Sequence, residues 1–215
     1  MLTKTLLAIS IWIIPVASAT SPDEDGWFTL FDGTSLDGWK SNDETPNVFS
    51  ITENGELRVD GGRAHLFWVG HDGIPAAFKN FEVSMQVKTT PEANSGVFFH
   101  TEYQEDGWPG VGLEAQVNTS HKDRRKTGSV YAKQDVMDNA PSTDGEWFEY
   151  NILVDEKTVT ISVDGEVVNS YTEPESPLVT EKRPLAKLGQ GTFAIQGHDP
   201  NSVVFYKDIR VRNLD

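Results

Sequence analysis

Residues 94–131 read NSGVFFHTEYQEDGWPGVGLEAQVNTSHKDRRKTGSVY, and two runs inside them, Gly96–Tyr103 and Leu113–Asn118, alternate apolar and polar residues. A strand turns successive side chains to opposite faces. Leu113, Ala115 and Val117 therefore share one face, and Glu114, Gln116 and Asn118 share the other. In the first run Phe98, His100 and Glu102 oppose Val97, Phe99, Thr101 and Tyr103. A solvated sheet face usually carries Thr, Lys and Ser. A row of Glu, Gln, Asn and His reads instead as the floor of a polar cleft. The loop between the runs holds Trp108, Pro109 and Gly110.

The same grammar extends in both directions. Trp27–Phe31 is a short aromatic run, followed by turns at Asp32-Gly33 and Leu36–Trp39. Val48–Ile51 and Glu56–Val59 bracket Glu53-Asn54-Gly55, and Val163-Asp164-Gly165-Glu166-Val167 carries Asp-Gly at its tip; both are hairpin signals. Phe81–Lys88 alternates with Phe81, Val83, Met85 and Val87 on one face. Trp147–Val154, Thr158–Val163, Thr192–His198 and Val203–Leu214 complete the strand candidates. Residues 172–191 form a long loop with three prolines, the kind often tied to function, and Arg183–Leu188 has room for one helical turn. No amphipathic helix, repeat or linker is evident. Short strands at short spacing with turn chemistry between them predict an all-β fold, an antiparallel two-sheet jelly-roll sandwich.

The 215 residues suffice for one core, and the absence of cysteine excludes disulfides, thiolate metal sites and cysteine nucleophiles. The start, MLTKTLLAISIWIIPVASA, has Lys4, an apolar stretch from Leu6 to Val16 and an Ala-Ser-Ala cleavage signal. It reads as a signal peptide, residues 1–19, leaving a mature domain at 20–215 that is exported to a periplasm or secreted. The stretch is shorter than the roughly 20 residues of a membrane span, so no span is expected in the mature chain. The formal charge of −15 makes nucleic acid and anionic lipid poor partners and is compatible with a neutral carbohydrate substrate.

Phe193 to His198 repeats the organising pattern: Phe193 and Ile195 face the core, while Gln196 and His198 face away, as Glu114 and Gln116 do. A curved sheet gathers these rows on one face. Glu114 is the leading carboxylate, since an apolar cleft raises a carboxyl pKa toward the range useful for acid–base work. His100, Glu102, His121 and Asp123 are a candidate set for a divalent cation, although their spacing matches no standard zinc motif. Trp108 offers a stacking face for a sugar ring, and Arg63 offers two parallel donors, with a surface ion pair as its equal alternative. Trp39, Trp68 and Trp147 belong to the core or rim. No nucleophile elbow, phosphate loop or dinucleotide fingerprint is present.

Taken together, GWFTLFDGTSLDGWK, NSGVFFHTEYQEDGWPGVGLEAQVN, TGSVY and FAIQGHDPNSVVFYKDIRVRNL resemble the 3-keto-disaccharide hydrolase domain family across essentially the whole mature chain. The resemblance implies a concanavalin A-like (laminin G-like) jelly roll, export, and action on glycosides already oxidised to a ketone at C3. Glu114 and Gln116 match the family's Glu-x-Gln strand, Gln196 and His198 its Gln-x-His strand, and Asn94-Ser95-Gly96 its Asn-Ser-Gly turn. The chain departs where many relatives have Arg in place of His100 and His-Gly in place of His198-Asp199.

A C3 ketone acidifies the C2 proton, so a base can remove it and the C1 oxygen leaves by β-elimination. Water then adds to the enone. The expected machinery is therefore Glu114 and His198 as base and acid, in either order. Gln116, Gln196, Asn118, Arg63, Trp108 and Tyr131 are expected around the sugar. His100, or a cation that it helps to hold, is expected at the enolate. The alternative is a non-catalytic carbohydrate-binding module, which would use the same aromatics and amides without proton transfer; a structural or adhesion domain is the third class.

Overall fold

The predicted alternation becomes thirteen strands in a computed structural model that describes residues 22–42, 44–71, 73–181 and 183–215. They are β1 (Trp27–Phe31), β2 (Trp39–Ser41), β3 (Phe49–Ile51), β4 (Leu57–Asp60), β5 (Ala64–Trp68), β6 (Phe81–Thr89), β7 (Ser95–Thr101), β8 (Leu113–Val117), β9 (Phe148–Asp155), β10 (Thr158–Val163), β11 (Glu166–Thr172), β12 (Thr192–Gly197) and β13 (Val203–Asn213). The leader at 1–19 lies outside the described residues. No helix occurs among the described residues, and none is long and apolar enough to cross a membrane. Arg183 and Leu185 instead make isolated bridges with Thr180 and Val111.

The strands form two antiparallel sheets. The larger runs β11-β10-β9-β6-β13-β4-β3, with β1 also on β13; the smaller runs β2-β5-β12-β7-β8. One bulge lets β13 serve two partners on one edge. At Asp208, φ is +53° and the register shifts between Lys207 and Arg210, so Val203–Tyr206 pairs with β4 and Ile209–Arg212 with β1. The hairpin signals hold: Asp164 and Gly165 both have positive φ between β10 and β11, as the preferred two-residue turn requires. The turn expected at Leu36–Trp39 is followed by β2, three residues paired to β5.

Period 2 sorts the residues as expected. Val97, Phe99, Leu113, Ala115, Phe193 and Ile195 of the smaller sheet pack against Phe81, Val83, Met85, Ile152 and Val211 of the larger one. Two buried tyrosines cross this core. The Tyr150 hydroxyl donates to the Gln116 carbonyl at 2.9 Å, and the Tyr206 hydroxyl lies 2.7 Å from Ser95 Oγ, which donates to the Gln196 carbonyl at 2.6 Å. The larger sheet thus grips the backbone of the two strands whose other face carries Glu114, Gln116 and Gln196.

In the smaller sheet alternation fails at His100. Its φ is +54°, and the β7–β12 register shifts between Thr192 and Phe193. Two glycine backbones press on this bulge. A Cβ on Gly112 would sit 2.2 Å from the Phe99 carbonyl oxygen, and one on Gly191 would sit 2.3 Å from that of Thr101. The bulge sends the His100 ring away from the Phe98 face, against Phe81 and Phe99.

Candidate active site

The outer face of the smaller sheet brings four strands to one place. Phe98 lies opposite Glu114, Gly96 opposite Gln116, and Gln196 opposite His65. Residues 127–131 cover the free edge of β8: the Gln116 N–H donates to the Ser129 carbonyl, and the Tyr131 N–H to that of Glu114. Gly96 has a specific reason to lack a side chain, since a Cβ there would stand 2.6 Å from Glu114 Oε1. A cavity of about 220 Å³ opens over this floor. It is lined by Asn94, Phe98, Trp108, Glu114, Gln116, Asp123, Tyr131, Arg183, Gln196 and His198. That volume is below the roughly 300–1,000 Å³ of drug-sized pockets.

Glu114 is buried, and burial pushes its carboxyl up to about 7, against the opposing pull of the Gln196 amide and the Arg183 charge. Gln196 Nε2 donates to Glu114 Oε1 at 2.8 Å. Gln116 Nε2 donates to Asn94 Oδ1 at 2.6 Å and to the Ser95 carbonyl at 3.0 Å. Gln116 Nε2 thus serves two protein acceptors and Gln196 Nε2 one. Their Oε1 atoms are buried with no donor among the described residues. Buried polar atoms are nearly always paired, so two orphaned acceptors at a cavity floor mark ligand contacts.

His198 stands beside Trp108, ring centroids 5.4 Å apart, with Nδ1 2.8 Å from Asp199 Oδ2. Burial alone would raise the Asp199 carboxyl. Hydrogen bonds from His198, Ser202 and the Asn201 amide outweigh it and hold the carboxyl below its usual range. An ionised Asp199 only accepts, so the tautomer this bond selects carries its proton on His198 Nδ1 and leaves Nε2 bare.

His121, His198 and Asp199 bring one ligand atom each within 4.8 Å of one another. The set does not suit a metal. A backbone N–H, that of Asp123, donates to His121 Nδ1 at 3.1 Å. Nδ1 is then the acceptor, and the proton of the neutral ring sits on Nε2, the atom that faces Asp199 at 3.8 Å and would have to ligate. The cation set drawn from the sequence is also dispersed. His100 lies behind the sheet, Glu102 is exposed, His121 is beside Asp199, and Asp123 lines the cavity.

Of the residues expected around the sugar, Glu114, His198, Gln116, Gln196, Trp108 and Tyr131 meet at the cavity, and three do not. His100 donates from Nε2 to the Lys79 carbonyl at 2.8 Å and accepts the Gly189 N–H on Nδ1 at 3.1 Å, because the bulge has turned it out of the row. Asn118 is fully buried and braces the following loop, donating to the carbonyls of Asp123 and Arg125 at 2.9 and 2.7 Å. Arg63 pairs with Glu44 and lies over Trp108 at 5.4 Å, while Glu44 also accepts the Gly107 N–H. Arg63 thus steadies the Trp108 loop.

Two groups at the site escaped the sequence reading. His65 is fully buried, edge-on to Phe98 and Trp108, and burial, with Arg63 and His198 nearby, pushes its imidazole down to about 3. It packs, uncharged, against two of the rings that line the cavity. Its place opposite Gln196 follows from alternation with Leu66 and Trp68, which the apolar run His65–Val69 disguises. Arg183 arrives on the 172–191 loop, and no local pattern announces it.

The model for the 3-keto-alpha-glucoside-1,2-lyase-like domain matches residues 26–212. The chain belongs to this family. A "3-keto-disaccharide hydrolase" of Bacteroides thetaiotaomicron is 28% identical over 235 residues, covering 90% of this chain and 80% of that protein. The crystal structure of a candidate glycosyl hydrolase from Parabacteroides distasonis superposes with a TM-score of 0.74 at 22% identity, covering 89% of this chain and 95% of the other. A β-glucanase of Bacillus licheniformis, at 12% identity, shares the fold with a TM-score of 0.58, covering 88% of this chain and 99% of that one. These likenesses agree with the all-β, two-sheet jelly-roll architecture.

Proposed function

We propose that this family member cleaves 3-keto-glycosides by removing the C2 proton, expelling the C1 oxygen and hydrating the enone. Family membership and the name of the Bacteroides relative support glycoside cleavage. The observation that carries the mechanism is the pairing of Glu114 and His198 in one cavity with opposite proton inventories. The bare Nε2 of His198 is suited to accept a proton. Glu114, with its carboxyl near 7, still holds one in a large fraction of molecules at neutral pH.

The roles follow from that inventory. His198 takes the C2 proton, with Asp199 positioning the ring and stabilising the imidazolium. Electrons from the C2–H bond pass toward the ketone oxygen as an enolate and return to form the C1=C2 double bond as the C1–O bond breaks. Glu114 protonates the departing oxygen. Water then adds its oxygen to C1 and a proton to C2, which saturates the C1=C2 bond, leaves a 3-keto sugar and completes net hydrolysis. The free Oε1 atoms of Gln116 and Gln196 accept sugar hydroxyls, and Trp108 covers the ring. A pair of carboxylates, as in ordinary glycosidases, is not required.

Variants separate the two roles. In deuterated water, Glu114→Gln should retain exchange at C2 while losing about 10²–10⁴-fold in release of a poor leaving group. His198→Ala should lose both. Normal release by both variants, with the fold intact, rejects the assignment. Binding of the sugar without turnover by the wild type would favour a carbohydrate-binding module. Export rests on the leader at 1–19; a mature N-terminus at Thr20 is the result that supports it.

A further inference from the structure

We propose that Arg183 binds the C3 ketone oxygen and stabilises the negative charge that develops there as the C2 proton leaves. This deepens the elimination reading and rests on it. His100, expected at the enolate, is behind the sheet, so the charge needs another partner.

Arg183 lines the cavity together with Glu114. Its Nε and Nη2, the two nitrogens on one edge of the guanidinium whose N–H bonds run side by side, are shut off from water and have no acceptor among the described residues. The amides around them each already serve a protein acceptor with at least one N–H. Gln196 Nε2 is on Glu114, Gln116 Nε2 is on Asn94 and Ser95, and Asn94 Nδ2 is at His121. The free Oε1 atoms of the two glutamines are acceptors, which suit hydroxyls. A ketone has no hydrogen to give and needs a donor. The Arg183 fork supplies two, one for the ketone oxygen and one for the oxygen of a neighbouring hydroxyl.

The fork is also held in place. The Arg183 guanidinium lies over the Phe98 ring at 5.8 Å, on the strand position opposite Glu114. Its loop is tied down at several points. The Leu185 carbonyl accepts the Gly112 N–H at 3.0 Å, Glu173 accepts the Leu188 N–H at 2.8 Å, His100 accepts the Gly189 N–H, and Lys133 reaches the Leu178 carbonyl. A fixed donor aimed at developing charge is the arrangement that lowers a barrier most. His100 therefore serves the reaction at one remove, by anchoring this loop.

The experiment uses Arg183→Gln and Arg183→Lys with a 3-keto-glucoside, reading kcat, KM, the pH profile and binding by calorimetry, with thermal unfolding as the control for the fold. Arg183→Gln should lose about 10²–10³-fold in kcat. Arg183→Lys should recover part of that loss, since it keeps a point charge without the fork. The limb of the pH profile set by Glu114 should move to higher pH in Arg183→Gln, because a cation beside a carboxyl holds its pKa down. Turnover of Arg183→Gln within about threefold of wild type, with the wild type working by elimination, overturns the fork and leaves the reaction standing. If the wild type binds the keto sugar without cleaving it, the reaction reading falls and binding decides. A tenfold or greater loss of affinity in Arg183→Gln then supports the fork as the ketone's partner, and unchanged affinity overturns it. No binding and no cleavage overturns both.

Discussion

Glu114 sits buried at the floor of the cavity with one amide donor, and its burial links stability to pH. Its folded carboxyl, near 7, lies above the ordinary 4.5. As pH rises, the unfolded chain releases this proton first, so Glu114 lowers stability progressively between about 4.5 and 7 and by a constant amount above. At about 1.36 kcal/mol per unit the full effect is about 3 kcal/mol. Glu114→Gln removes the ionisation, and urea midpoints should show the variant gaining on wild type between pH 4.5 and pH 8. Parallel curves for the two proteins over that window would contradict the buried, proton-holding Glu114. This residue was legible in the sequence because period 2 alone puts Glu114 and Gln116 on the face opposite Leu113 and Ala115. Arg183 was not: it lies in an irregular, proline-rich loop, and only the closure of that loop over β7 and β8 brings it to the cavity.

At the scale of elements, the instructive case is the bulge in β7. Alternation assigns His100 to the Phe98 face, and a strand without the bulge would place it there. The positive φ at His100 and the close approach of Gly112 and Gly191 are long-range facts, set by residues 12 and 91 positions away, and nothing in the run VFFHTEY discloses them. The hairpins, by contrast, were legible because Asn-Gly and Asp-Gly carry their geometry in two residues. The turned His100 ring closes two hydrogen bonds, to Lys79 and Gly189, while 2% exposed. His100→Ala should cost about 2–4 kcal/mol in urea unfolding from the cavity and the broken pairs. It should also raise KM for the sugar as the Arg183 loop loosens. A stability loss below about 0.5 kcal/mol, the range of ordinary surface changes, would show that the ring is no anchor.

At the scale of the whole molecule, the two sheets divide the labour. The larger one supplies the broad apolar face and the two tyrosines, Tyr150 and Tyr206, that hold the backbone of β8 directly and that of β12 through Ser95. The smaller one spends its outer face on Glu114, Gln116, Gln196 and His65. A jelly roll of this class hosts many functions, so the fold by itself does not decide the chemistry. What decides it is whether the cavity acts on the oxidised sugar alone. The most direct measurement is proton NMR in deuterated water of a 3-keto-glucoside and its unoxidised parent, each incubated with the purified protein. The account predicts release of the aglycone from the keto compound only, with deuterium delivered to C2 of the product. Equal release from the parent, or release from the keto compound with the C2 proton fully retained, would contradict it.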